Sequence, residues 1–294
     1  KGNRFTSRFL GIAVSDMIHK QLGDVLSCGH CREDPRGCGY GFQCEHCTVR
    51  NALLHTFETG RNTDQAEGSL HLRKSGQERE MNFLVSSSLF YHSDQSRALL
   101  TIVDITERVR AESKLRYISF HDSLTGLYNR NFFQEEMNRL QSDRCDSMGI
   151  VLCDLDGMKF INDAMGHAKG DEIIKRAAEL LQENFRSSDI VARIGGDEFA
   201  VFIPGVDIEG AERLVRRLGT STEKNNRECP EIPVSLSMGY AVHWGNPVDM
   251  EALYRQADNR MYRNKVEREP KARSMIVKTL TRAMEARDFM AQGH

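Results

Sequence analysis

Residues 186–205 read RSSDIVARIGGDEFAVFIPG, and the five letters from Gly195 to Phe199 decide the fold around them. Apolar-rich segments at 190–194 and 199–203 flank a Gly-Gly-Asp-Glu core, the pattern of a β-hairpin. The two glycines are expected to supply the φ > 0 conformations that a tight turn demands, with no Cβ penalty. A hairpin of purely structural purpose more often carries Asn-Gly or Asp-Gly at its tip. Here two adjacent carboxylates, Asp197 and Glu198, follow the glycines. Two acids held side by side repel unless a cation lies between them, so a divalent metal is the natural reading. For Asp-Glu alone, a solvated acidic turn would be the simpler account.

A second segment tips the balance. Residues 149–171 read GIVLCDLDGMKFINDAMGHAKGD. The run 149–153 is short, apolar and β-rich, as for a buried central strand. It ends in Asp154-Leu155-Asp156, placing carboxylates at a strand terminus, where open α/β sheets bind ligands. Lys159, Asn162, Asp163, His167 and Asp171 follow in quick succession. A merely amphipathic helix has no need of the Gly-His and Gly-Asp pairs inside this stretch.

These residues and their spacing resemble the GGDEF family of diguanylate cyclases. The resemblance covers roughly residues 107–268 and rests on further blocks in the family's order. HDSLTGLYNR at 121–130 looks like the opening segment, VSLSMGYA at 234–241 like the late central strand, and LYRQADNRMYRNK at 253–265 like the last helix. The family joins two GTP molecules into cyclic di-GMP with release of two pyrophosphates, each domain holding one GTP. Such phosphoryl transfer needs in-line positioning and electrostatic stabilisation rather than a protein nucleophile.

By position, the resemblance implies that Asp154, Asp197, Glu198 and the Leu155 carbonyl hold one or two Mg²⁺ ions. Hard oxygen ligands suit Mg²⁺ or Mn²⁺ rather than zinc. Asp197 matches the acid proposed as general base, and Lys159 the lysine that contacts terminal phosphates. Asn162 and Asp171 match the pair that reads guanine. A carboxylate facing the N1–H and N2–H₂ edge selects guanine, because adenine offers no such donor pair. His167 is placed behind these residues, supporting the loop. Two departures stand out: Met158 occupies a position where many members have Phe, a tolerable apolar exchange. Lys265 matches a phosphate-binding lysine, but the Arg usual four residues later is Glu269, with Arg268 one place early.

Arg186 and Asp189 match the family's RxxD inhibitory product site, nine residues before the first glycine. A strand at about 3.3 Å per residue sets this site on the order of 15 Å from the active turn. Product bound there would act by crosslinking domains so that two half-sites cannot meet, not by blocking GTP.

The 294 residues suggest about two domains, and the net charge of −2 with no basic run argues against nucleic acid. The longest apolar stretches are too short to span a bilayer. A nucleotide substrate implies a bacterial cytoplasmic setting. Residue 1 is Lys rather than Met, so further N-terminal segments are expected. Residues 1–106 alternate like antiparallel strands around a turn at Lys74-Ser75-Gly76-Gln77, and DITER at 104–108 resembles the exit of a PAS sensor domain. The early part, residues 3–26, looks like the helical portion of such a domain with its first strands missing. A helix over 107–119 would carry the signal to a catalytic domain at 120–270. Residues 271–294 resemble the opening helix of an HD-GYP phosphodiesterase, reaching a Gly-His pair at 293–294, with Ile276, Leu280, Ala283 and Arg287 along one face. This is the pattern of a piece of a longer sensor–cyclase–phosphodiesterase chain.

Within the first domain lie Cys28, Cys31, Cys38, Cys44 and Cys47. Paired CxxC units of this kind ligate zinc or an iron–sulfur cluster, and a cytosolic setting argues against disulfides. Cys28, Cys44 and Cys47 are expected as ligands, with either Cys31 or Cys38 as the fourth; His30 and His46 are solvated neighbours. Cys145, Cys153 and Cys229 are isolated. The expected architecture is α/β: a ferredoxin-like, cyclase-type domain with a central sheet flanked by helices, behind an antiparallel-sheet PAS domain. The expected function is synthesis of cyclic di-GMP by a homodimer under PAS control and product inhibition. The rival reading is a non-catalytic receptor for GTP or cyclic di-GMP that regulates a downstream phosphodiesterase.

Overall fold

The computed structural model describes residues 11–74, 77–142, 147–245 and 247–291. The chain divides into two compact units, residues 1–114 and 115–294.

The first unit is built on a three-stranded antiparallel sheet in the order β1 (Thr63–Lys74), β2 (Gln77–His92), β3 (Gln95–Asp104). Before it come α1 (Leu22–Leu26), α2 (Thr48–Thr59) and short 3₁₀ turns at Val14–Met17, Gly29–Arg32 and Phe42–His46. Strand β2 alternates as a half-buried strand should: Met81, Phe83 and Val85 face inward. They pack with Leu70 of β1 and with Val49 and Ala52 of α2 to form this unit's core. Lys74 pairs with Gln77 across the expected turn, whose tip, Ser75-Gly76, lies outside the described residues. Helix α3 (Thr106–Phe120) follows, and the division between the units falls within it.

The second unit is α/β, with a four-stranded antiparallel sheet in the order β5-β6-β4-β7. Its strands are β4 (Ser147–Leu155), β5 (Ile190–Arg193), β6 (Glu198–Pro204) and β7 (Leu236–Trp244). Every residue of β4 is buried, because the strand is central and both of its faces are covered. Val151, Cys153 and Leu155 point to one core with α6 (His167–Asn184) and α7 (Ile208–Glu228). Met148, Ile150 and Leu152 point to the other, with α4 (Arg130–Ser142) and α8 (Met250–Ala291). Phe133 of α4 stacks on Phe202 of β6 with ring centroids 4.4 Å apart. A further short helix, α5 (Met158–Met165), directly follows β4.

Helix α8 lies unusually close to the sheet at Gly239. A Cβ there would sit 2.2 Å from the Ala257 carbonyl oxygen and from the Met261 nitrogen, so only glycine fits. The Met238 N–H donates to Asn264 Oδ1 at 3.0 Å and fixes the helix along its length. The expected last helix at 253–265 is therefore part of a longer one, continuous from Met250 to Ala291. The side chains of Glu269, Ile276, Leu280, Ala283 and Arg287, like the Gly293-His294 pair and Cys145, lie outside the described residues. Among the described residues no helix is long and apolar enough to cross a membrane.

Candidate active site

The two acidic segments meet because β4 and β6 are hydrogen-bonded neighbours. The register pairs Asp154 with Glu198, and the Leu155 N–H donates to the Asp197 carbonyl at 2.9 Å. Residues that are far apart in sequence thus share one end of the sheet. The turn itself is closed by the Ile194 and Gly195 N–H groups, which donate to the Glu198 carbonyl at 2.9 and 3.3 Å.

The glycines serve this turn differently from the sequence expectation. Neither Gly195 nor Gly196 is among the positive-φ glycines. At Gly195 the requirement is space: a Cβ would lie 2.5 Å from Glu198 Oε2 and 3.1 Å from Glu198 Cβ. The Glu198 side chain folds back over the glycine, so close approach replaces backbone handedness as the reason for the residue. A Cβ on Gly196 would meet nothing within 4 Å.

Asp154 is buried, and Lys265 of α8 places Nζ 2.6 Å from its Oδ1. Burial pushes the Asp154 carboxyl above its ordinary range; Lys265 pulls it down, and the Asp197 and Asp156 charges push it up again. For Lys265, burial works against the ammonium, but the bond and charge of Asp154 and the charges of Asp197 and Asp156 outweigh it and raise its pKa. One ammonium therefore faces three carboxylates, and the centre is short of positive charge. That deficit, on oxygen donors, fits a divalent cation. Among the described residues, no three His, Cys, Asp or Glu side chains are yet gathered at metal-holding distances.

Two residues to which the sequence assigned no role of their own shape this site. Asp156 is buried and accepts from the Ser235 hydroxyl at 2.6 Å and the Ser237 hydroxyl at 2.5 Å, tying the end of β4 to β7. Its place in Asp154-Leu155-Asp156 was a visible signal, although its partners lie far along the chain. Arg193 forms an ion pair with Asp122 at 3.0 Å and donates to the Gly196 carbonyl through Nη2 at 2.7 Å. Burial pushes Asp122 up, but hydrogen bonds from Thr125 and Arg193 outweigh it and hold its pKa below the ordinary value. The opening segment at 121–130 is in this way tethered to the acidic turn.

The remaining expected residues lie on the α5–α6 pair. Lys159 is exposed in the first turn of α5, and buried Met158 occupies the apolar position beside it. Asn162 Oδ1 is buried without a hydrogen-bond partner, and a Cβ on Gly170 would meet it at 2.0 Å. A buried amide oxygen without a partner is costly unless a ligand or solvent satisfies it. His167 opens α6 and Asp171 lies in its first turns, both exposed. At the far end of α6, Arg186 and Asp189 close a turn. The Arg186 N–H donates to Asp189 Oδ2 at 2.8 Å, and the Asp189 N–H to the Arg186 carbonyl at 3.0 Å. Arg268, in α8, is half-buried.

In the first unit, Cys28, Cys31, Cys38, Cys44 and Cys47 all line one cavity of about 610 Å³. Cys153, by contrast, is a core residue whose thiol burial pushes up to about 12.

Residues 119–271 match the family model described as Diguanylate cyclase, GGDEF domain. The chain is 34% identical over 153 residues to a protein named Probable diguanylate cyclase DgcT of Escherichia coli (strain K12), covering 50% of this chain and 34% of that one. It is 35% identical over 174 residues to the Diguanylate cyclase DgcM of the same organism, covering 58% of this chain and 42% of that one. The chain thus spans well under half the length of these curated relatives. Among solved structures, the coiled coil and GGDEF domain of DgcB from Caulobacter crescentus, in complex with c-di-GMP, is similar. It has 23% identity and a TM-score of 0.49 over 55% of this chain and 88% of that one.

Proposed function

We propose, from the premise that the chain belongs to the diguanylate cyclase GGDEF-domain family, that it synthesises cyclic di-GMP from two GTP. In each of two transfers, the 3′-hydroxyl oxygen of one GTP bonds to the α-phosphorus of the other. The bond from that phosphorus to the α–β bridging oxygen breaks, pyrophosphate leaves, and the hydroxyl proton passes to Asp197. The observation that carries this reading is the register of β4 on β6, which sets Asp154 beside Glu198 and Asp197 with Lys265 2.6 Å from Asp154. Asp154, the Leu155 carbonyl, Asp197 and Glu198 are the residues that would hold Mg²⁺ or Mn²⁺, whose charge supports in-line phosphoryl transfer when bound. A mere receptor has no need of so costly a set of like charges.

Around that chemistry, Lys159 and Lys265 serve the phosphates and Asn162 and Asp171 the guanine edge, with His167 behind them. The orphaned Asn162 oxygen beside Gly170 supports a ligand at that end. Two chains must face each other, since each holds one GTP, so the active species is a homodimer. Arg186 and Asp189 bind product and restrain the dimer. The first unit acts as a PAS-type sensor whose cysteine cavity takes a metal, zinc or an iron–sulfur cluster, and α3 passes its state onward. The test is incubation of purified protein with GTP and Mg²⁺, with Asp197→Ala and Asp154→Ala in parallel. Loss of about 10²–10³ in rate is expected for each; near-wild-type synthesis by Asp197→Ala would refute the assignment of the metal site.

A further inference from the structure

A stack of rings joins the end of α3 to the start of α4. Tyr117, in the last turn of α3, stacks on His121 with ring centroids 4.1 Å apart and planes 9° from parallel. His121 stacks on Tyr128 at 4.8 Å, and Tyr128 on Phe132 of α4 at 3.9 Å. Phe120, the last residue of α3, meets Phe132 edge-on, with centroids 5.6 Å apart and planes at 74°. A ring held between two others cannot shift without forfeiting contact on one face, so each fixes the orientation of the next.

Hydrogen bonds hold the same joint. Asn129 Nδ2 donates to the Ser119 carbonyl at 2.8 Å and to the Ile118 carbonyl at 3.4 Å, satisfying groups that the end of α3 would otherwise leave open. Asn129 Oδ1 accepts from the Phe132 N–H at 3.0 Å and so caps the start of α4. His121 Nδ1 donates to the Gly126 carbonyl at 3.0 Å, which ties the middle of the ring stack to the loop.

Tyr128 is where this joint reaches the sheet. Its N–H donates to the Val191 carbonyl at 3.2 Å, and its carbonyl accepts from the Arg193 N–H at 2.8 Å. It thereby forms a parallel bridge with Ala192 and holds β5 on both sides of that residue. Its ring packs against the core of Phe133, Ala192 and Phe202. Arg193, held at its main chain by Tyr128, grips the Gly196 carbonyl through its guanidinium.

We propose that Tyr128 is a positioning residue for the acidic turn, through which the end of α3 sets where Asp197 and Glu198 stand. A displacement of Tyr117 is passed through His121 to the Tyr128 ring. The Tyr128 main chain then carries it to Arg193, and the Arg193 guanidinium to Gly196. The proposal rests on the reading of this turn as catalytic and adds the route by which α3 reaches it. Tyr128 acts only through Arg193 and belongs to neither the acid cluster nor the guanine end.

The experiment measures amide exchange at residues 195–198 in the full chain, beside the rate of cyclic di-GMP formation. Tyr128→Leu removes the ring and keeps the main-chain bonds. It should speed exchange at 195–198 by about tenfold and lower kcat by about tenfold, with the KM for GTP little changed. Tyr128→Phe should restore both, and exchange in β4 should stay slow throughout. Tyr117→Ala should change both readouts by about threefold, and that change should vanish in the Tyr128→Leu background. Additive effects of Tyr117→Ala and Tyr128→Leu would overturn the route. So would unmoved exchange at 195–198 in Tyr128→Leu, or equal acceleration in β4, which would leave Tyr128 a core residue alone. Faster exchange at 195–198 with undiminished synthesis would uphold the route and contradict the catalytic reading of the turn.

Discussion

Replacing Lys265 with Met removes the ammonium beside Asp154 and keeps the volume of the side chain. At an effective dielectric of about 20, unit charges at the observed 2.6 Å attract by about 6 kcal/mol before desolvation is counted. The Lys265 side chain is 41% exposed, so water screens much of this, and a net loss of about 1–3 kcal/mol is expected near neutral pH. The sign of the pH dependence follows from Asp154, whose folded pKa stands above its ordinary value of 3.8 even with Lys265 present. A carboxyl with a raised folded pKa holds its proton longer in the folded state. Its contribution to stability is therefore present at acid pH and is lost as pH rises through the folded value. Without Lys265 that value climbs further, so the deficit of the variant grows from acid to neutral pH. Mg²⁺ should narrow the deficit, because a cation bound to the folded state replaces the missing charge. Trp244 is the only tryptophan of the chain and ends β7, so urea unfolding followed by its fluorescence reports on the second unit alone. An equal deficit at pH 5 and pH 8, unmoved by Mg²⁺, would refute the electrostatic account of this centre.

Arg193→Met should release the acidic turn from Asp122 and Gly196, lowering kcat by about 10–100-fold and speeding amide exchange at residues 195–198, with fold retained; unchanged exchange would show that the turn holds itself. Asp171→Ser should loosen the preference for GTP over ATP in competition assays, and undiminished exclusion of ATP would place guanine recognition elsewhere. Arg186→Ala should relieve inhibition by added cyclic di-GMP while leaving initial turnover largely intact, since a bidentate guanidinium contact is lost. Equal sensitivity of variant and parent would reduce Arg186 and Asp189 to a turn closure.

Local patterns in the sequence disclosed much of the second unit. The apolar run before Asp154 reads as a central strand, and all nine residues of β4 are buried because the strand lies inside the sheet with both faces covered. The hairpin around residues 195–198 was legible from its flanking apolar segments. The role of its glycines was not, because the need at Gly195 comes from where the Glu198 side chain lies, and turn statistics carry no such information. Long-range partners were equally hidden. Lys265 reads as a phosphate ligand, yet here it sits on Asp154, brought there by the close approach of α8 at Gly239. Asp156 meets Ser235 and Ser237 only because β4 and β7 pair. In the first unit, cysteine spacing disclosed the cluster but left Cys31 and Cys38 equivalent. The fold adds that all five thiols line one cavity, which spacing alone does not show.

The central claim is that this chain joins two GTP molecules through the cluster of Asp154, Asp197 and Glu198. Its most direct test is the mass-resolved product balance of the purified chain with GTP and Mg²⁺. The account predicts cyclic di-GMP with two pyrophosphates per molecule formed, and a specific rate that rises with protein concentration as dimers assemble. GTP recovered intact, or hydrolysed without a cyclic product, at protein concentrations where the chain is dimeric would contradict it.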